Sequence, residues 1–131
     1  MIGLIISFLL FVFIDFIWLG IIMKKFYFKE LNKVSKMRKK FNLIPIVLIY
    51  LLLTIGINYF VLPYSNSLIQ ALFNGMLFGL IGYGIYDLTN YVTFEKFSLK
   101  TTIIDMIWGS SICGIVSILS KYFIFLIESI M

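Results

Sequence analysis

Histidine is absent from this chain of 131 residues, cysteine occurs once and proline twice. Without histidine the commonest general base and metal ligand at neutral pH is missing. Ser–His and Cys–His nucleophilic sites and zinc–histidine centres are therefore excluded. The single Cys113 lies in an apolar run, so no intrachain disulfide can form and the redox compartment cannot be read. Charge is scarce as well. Only 13% of residues are charged and 62% are hydrophobic, against about 25% and about 45–50% in soluble domains. A water-soluble domain this small leaves much of its surface exposed and cannot hide that excess. Lipid must be the solvent for much of the chain, and residues 1–131 are expected to form one membrane domain with no soluble domain.

Long apolar runs are what the chain has in place of charge. A membrane span needs about 20 mostly apolar residues, and four segments qualify, at roughly 2–23, 43–62, 69–90 and 102–126. The expected class is all-α: a polytopic membrane protein with four transmembrane helices. The opening MIGLIISFLLFVFIDFIWLG has no basic n-region and no small-residue cleavage site, and reads as a retained first span. KKFYFKELNKVSKMRKKF (24–41) and LPYSNS (62–67) separate the first three spans, and the softer TFEKFSLKTT (93–102) separates the last two.

Loop charge sets the orientation. The 24–41 loop carries Lys24, Lys25, Lys29, Lys33, Lys36, Arg38, Lys39 and Lys40 against Glu30. The 62–67 turn carries no charge, and Lys96 and Lys100 fall on the same side as the basic loop. Both charged loops are expected in the cytoplasm and both termini outside (N-out/C-out), with the cell membrane as the location. A basic run also fits nucleic acid, but topology explains it in a loop joining two spans, and no nucleic-acid partner is expected. Tyr27, Leu31, Val34 and Phe41 recur at near-helical spacing. The loop is therefore expected to lie on the membrane as an amphipathic helix, with membrane lipids and their anionic headgroups as its contact.

Against this background, polar residues inside the spans stand out. Asp15 precedes Lys24 by nine residues, Asp87 precedes Glu95 by eight and Asp105 follows Lys100 by five. At about 1.5 Å per residue these are depths of about 13, 12 and 7 Å. All three carboxylates thus converge in the cytoplasmic half. A carboxylate in a span costs about 2.5–3.5 kcal/mol on insertion scales, and such groups face the bundle interior and mark functional sites by default. Asp15 with Trp18, Asp87 with Asn90 and Asp105 with Trp108 are i,i+3 pairs sharing a helix face. Indole and carboxamide N–H groups are donors a carboxylate can use. Tyr50, Tyr83, Tyr86 and Thr89 add hydroxyls. The plainer reading is that all these groups join helices through interhelical hydrogen bonds.

Two facing carboxylates would need a shared proton or a cation. An oxygen-only donor set suits a hard ion such as Mg²⁺ or Ca²⁺, but no metal motif with diagnostic spacing is present, and neither a metal nor a cofactor is expected. NGMLFGLIGYG contains GxxxG at Gly75 and Gly79, and Gly109 and Gly114 place small residues along the fourth span. These four glycines are expected at close helix contacts. No strand precedes them, so they are not a nucleotide fingerprint.

The motifs D-x-x-W-L-G (Asp15, Trp18, Leu19, Gly20), F-Y (Phe26, Tyr27), N-G-x-x-F-G (Asn74 to Gly79), Y-D-L-T-N (Tyr86 to Asn90) and D-x-x-W-G (Asp105 to Gly109) occur in this order, with Leu31, Tyr50, Gly56, Phe60 and Pro63 between them. Across nearly its whole length the chain resembles the small four-helix predicted membrane protein family catalogued as domain of unknown function 2177. The resemblance implies the topology and supports the importance of the polar residues. It implies no activity.

Three functions fit these observations. One is a site in the cytoplasmic leaflet that binds, or acts on, a lipid-like small molecule. Another is a non-catalytic membrane subunit or assembly factor whose acids serve packing. The third is a proton- or cation-coupled transporter working as a homo-oligomer, although transport sites usually lie at the midplane. The residues name no reaction, so the chain is not assigned as an enzyme. The charge asymmetry makes one direct prediction. A reporter fused after Met131 should appear outside the cytoplasm and one inserted near Ser35 inside it, and the opposite pair of results would reverse the topology.

Overall fold

In lipid a backbone amide finds no water, so a span must satisfy its polar groups internally as a helix. The computed structural model describes all residues, Met1–Met131, and contains helices and no strand. Helix α1 covers Ile2–Ile17 and ends in a π-helical turn, Trp18–Ile22; the short α2 covers Lys24–Val34. Helix α3 covers Leu43–Gly56, followed by a π turn at Ile57–Val61 and a 3₁₀ turn at Leu62–Tyr64. Helices α4 and α5 cover Leu68–Thr93 and Leu99–Ile130.

The starts follow from local chemistry. Asn42, Ser67 and Ser98 cap α3, α4 and α5 by accepting from Ile44, Gln70 and Thr101 backbone N–H groups. Pro45 falls in the first turn of α3, where its missing N–H would have had no helical partner.

Four stretches are long and apolar enough to cross a membrane: Ile2–Ile22, Leu43–Tyr64, Leu68–Thr93 and Leu99–Ile130. The last two overrun the apolar runs read from sequence, which ended at 90 and covered 102–126. A helix obeys its caps and hydrogen bonds rather than the lipid boundary. The 32 residues of α5 make a rod about 48 Å long, so this helix tilts or projects from a hydrocarbon layer about 30 Å thick.

The most extensive contact joins α4 to α5, and glycine sets its distance. A Cβ on Gly79 would overlap the Gly109 carbonyl, and one on Gly75 would meet the Cys113 carbonyl at 2.6 Å. Gly109 lies under the Tyr83 ring, and a Cβ on Gly114 would meet Met76 at 2.5 Å. Across this seam Ser110 Oγ donates to the Met76 carbonyl at 2.9 Å.

Burial is inverted relative to a soluble protein. Of 24 buried residues nine are polar or charged, while Phe13, Phe16, Phe60, Phe73 and Phe125 point outward. Lipid gives no hydrophobic reason to bury a phenylalanine, but it strongly penalises an exposed hydroxyl or carboxylate.

Helix α2 docks at the ends of α1 and α5 with Tyr27 buried. It stops at Val34, so Phe41, expected on the same apolar face, stands outside the helix and exposed. The Asn32 side chain accepts from the Met37 backbone N–H and turns the chain away. Glu30 anchors α2 to the start of α5, accepting from Ser98 Oγ at 2.9 Å while pairing with Lys33 at 2.7 Å. Lys33 first, and then the Ser98 hydroxyl, hold the Glu30 carboxyl down at about 2. The N-terminal dipole of α5 favours the same charge.

The seam predicts a sharp contrast between glycines. Gly79→Leu should cost at least about 1–3 kcal/mol through overpacking and lower the yield of folded protein in detergent. Gly82 has nothing within 4 Å of its would-be Cβ, so Gly82→Ala should be neutral or stabilising by up to about 1 kcal/mol. A normally abundant, well-folded Gly79→Leu variant would show that α4 and α5 do not pack this way.

Candidate functional site

Asp15 stands in an apolar helix yet is only 5% exposed. Its Oδ2 accepts from the Tyr50 hydroxyl at 2.5 Å, and its Oδ1 from the Trp108 indole N–H at 2.9 Å. One carboxylate on α1 thereby ties α3 and α5 together. Hydrogen bonds to a charged acceptor contribute about 1.5–3 kcal/mol each. Two of them offset the roughly 2.5–3.5 kcal/mol insertion cost of the acid.

The network continues through the rings. Trp108 lies on Trp18 with centroids 4.3 Å apart and planes 7° from parallel. Trp18 donates its N–H to the Tyr27 hydroxyl at 3.2 Å, and Tyr27 donates to Asp105 Oδ1 at 2.9 Å. A connected path thus runs from Tyr50 through Asp15, Trp108, Trp18 and Tyr27 to Asp105. Burial first, and the Asp105 charge second, push the Tyr27 hydroxyl above the usual phenol range. Tyr27 therefore remains a donor at any physiological pH.

The indole pair also forms part of the wall of an open-sided groove of about 440 Å³ with Met23, Ile104, Ile107 and Ser111. The groove is almost wholly apolar. The Ser111 hydroxyl is already turned to the Ile107 carbonyl at 2.8 Å.

The donors are not the ones that helix spacing pairs together. Trp18 serves Tyr27 rather than Asp15, and Trp108 serves Asp15 rather than Asp105. Trp18 still sits in helical register with Asp15, its backbone N–H on the Ile14 carbonyl, so it is the Tyr27 hydroxyl on α2, and not a change of register, that takes its indole N–H. Asn90 gives Asp87 nothing, because neither Asp87 oxygen has a hydrogen-bond partner. Asp87 has no exposed surface, and the group within hydrogen-bonding reach is the Asp105 carboxyl.

Within Y-D-L-T-N only Asp87 is buried. Tyr86 and Thr89 are exposed and Asn90 is half-buried, as about 100° of rotation per residue requires of neighbours of an inward position. Tyr83 packs into the core beside Gly109. The structure therefore brings together Asp15, Trp18, Tyr50, Asp105 and Trp108, sets Asp87 beside Asp105, and leaves Tyr86 and Thr89 outside. No group of three or more acidic, cysteine or histidine side chains is assembled as a metal cluster.

Two features escaped the reading from sequence. Tyr27 belongs to the network, although its place in a charged loop suggested a membrane-surface face; its position directly after a span was the available signal. Nearer the other end, Ser7 Oγ and Ser120 Oγ lie 2.7 Å apart and Asn58 Nδ2 donates to Ser7 Oγ at 3.1 Å. Asn58, in the π turn after α3, is the one carboxamide inside the apolar run 43–62, and that was the available signal.

Tyr27 is the joint that a single atom can test. Tyr27→Phe removes the acceptor of Trp18 and the donor to Asp105 together, and should destabilise the protein by about 1–3 kcal/mol. Trp18 and Trp108 are the two tryptophans of the chain, so indole emission should shift with the substitution. Unchanged emission and stability would show that this link is not formed.

No curated protein and no solved structure matches the chain. Residues 1–122 match the family described as Predicted membrane protein (DUF2177). That stretch holds the whole network, three of the four membrane-length helices and most of the fourth, and the chain belongs to this family.

Proposed function

We propose that this chain is a multi-pass protein of the cell membrane, with both termini outside, which binds a lipid-like amphiphile from the cytoplasmic leaflet. The observation that carries this reading is the stacked indole pair in the wall of the 440 Å³ groove. Both indole N–H groups are committed inward, to Tyr27 and Asp15, and the ring surfaces that remain suit an acyl chain or a flat apolar ring. The basic α2 and the 35–41 segment would hold an anionic headgroup near the same end, each lysine close to the surface contributing about 1 kcal/mol. Binding alone is what the groove supports, and no reaction is assigned.

One observation favours a second reading, that of a non-catalytic subunit or assembly factor. Both oxygens of Asp15 are satisfied within the chain, as a purely structural clamp would have them. The transporter reading is weaker. Phe11, Ile57, Ile112 and Val116 are fully buried in one apolar cluster, and in sequence Phe11, Ile112 and Val116 fall between the Asp15–Trp108 network and the Ser7–Ser120 pair.

The test is retention of lipid through purification. Wild-type protein extracted in mild detergent should carry a defined lipid class that mass spectrometry detects. Ile107→Trp, which fills the groove from an exposed position and removes no hydrogen-bonding group of the network, should lose most of it. An identical lipid complement in the two proteins would remove the groove as a binding site and favour the subunit reading.

A further inference from the structure

Asp15 and Asp87 are both buried acids in apolar helices, but the fold treats them differently. Both oxygens of Asp15 accept hydrogen bonds, whereas neither oxygen of Asp87 does, although Asp87 has no exposed surface. The group that faces it is a second carboxyl, Asp105, whose Oδ1 already takes the Tyr27 hydroxyl. No basic side chain compensates. The one ion pair of the structure is Lys33 with Glu30, and Lys100, five residues before Asp105, sits over the Phe26 ring at 5.6 Å. The neighbouring hydroxyls are engaged elsewhere, Thr101 with Glu30 and Thr102 with the Ser98 carbonyl.

Two facing carboxyls without donors need positive charge between them. The atoms offered are Asp87 Oδ1, Asp87 Oδ2 and Asp105 Oδ2, a set of hard oxygens with no nitrogen or sulfur, which selects against zinc and copper. A divalent ion would balance both negative charges, and in apolar surroundings that balance dominates. Ca²⁺ asks for six to eight oxygens, whereas Mg²⁺ is commonly held by one or two carboxylates and keeps several waters. Adjacent oxygens around Mg²⁺, each at about 2.0–2.1 Å, lie about 3 Å apart, which is also hydrogen-bonding reach. Asp105 is only half-buried, so the waters of such an ion have an approach from the α2 end.

We infer that Asp87 and Asp105, facing each other from α4 and α5, bind a partly hydrated Mg²⁺ ion at the α2 end of the bundle. This site is distinct from the indole groove and does not require a lipid to be bound there.

The experiment uses the full chain, purified in detergent and stripped with EDTA. Thermal unfolding is followed by indole emission at neutral pH as MgCl₂ is titrated in, with ionic strength held constant by NaCl. Wild type should show a saturable rise of several degrees in its midpoint. Asp87→Asn, which can donate to Asp105 and so needs no ion, should show none, while Gly82→Ala should keep the full rise. Should Asp87→Asn fail to fold, Asp105→Asn takes its place. Equilibrium dialysis of wild type should independently recover about one Mg²⁺ per chain, bound through the two carboxylates. No bound ion and no shift in wild type would overturn the site and leave a proton shared by the two carboxyls. An equal shift in Asp87→Asn would overturn it as well.

Discussion

A carboxylate out of reach of water must be met by donors, and where those donors come from decides how helices sit. Asp15 draws one donor from α3 and one from α5, so three spans are fixed by a single acid. Much else follows from that arrangement. Trp108 must point toward α1 to serve Asp15, which lays its ring flat on Trp18. Trp18 can then turn its own N–H to Tyr27, and Tyr27 brings α2 against Asp105. Hydrophobic burial, the usual organiser of a fold, is weak here because lipid tails are as apolar as leucine. Directional polar contacts and close backbone packing carry the specificity instead.

The two mechanisms divide the bundle between them. Helices α4 and α5 are held by contact, with Gly75 and Gly79 on one and Gly109 and Gly114 on the other removing the side chains that would separate the backbones. Helix α1 joins that hairpin by hydrogen bonds, Asp15 with Trp108 at one level and Ser7 with Ser120 at another, and the second span joins α1 at the same two levels through Tyr50 and Asn58. The cluster of Phe11, Ile57, Ile112 and Val116 admits no exposed surface. Any chemistry at the α2 end is therefore shielded from the Ser7 end.

Much of this was legible in the sequence. The run lengths gave four spans because lipid demands about 20 apolar residues for each. Counting residues from the loops put Asp15 and Asp105 in the same half of the bundle, and one network now joins them. Spacing failed where the answer depended on a partner helix. An i,i+3 relation says that Asp105 and Trp108 share a face, but it is blind to Asp15 waiting across the interface. The π turns Trp18–Ile22 and Ile57–Val61 shift the register of the residues that follow them, which a rule built on regular turns does not follow. Tyr27 was hidden because a loop rich in lysine reads as surface, and only the docked helix turns one of its rings inward.

The position of Tyr27 has a thermodynamic consequence. Its hydroxyl accepts from Trp18, in the groove wall, and donates to Asp105, which faces Asp87. Tyr27 thereby ties the position of the Trp18 ring to that of the Asp105 carboxyl, so a ligand that shifted either one would act on the other, and the effect would be reciprocal. The energy at stake is that of one charge-assisted hydrogen bond, about 1.5–3 kcal/mol, enough to change an affinity by about tenfold or more. Glu30 holds the helix carrying that hydroxyl through Ser98 and Thr101, at the very start of α5. Any communication between the proposed groove and the proposed ion site would therefore pass through α2, whose anchor on Ser98 and Thr101 lies at the start of the fourth span.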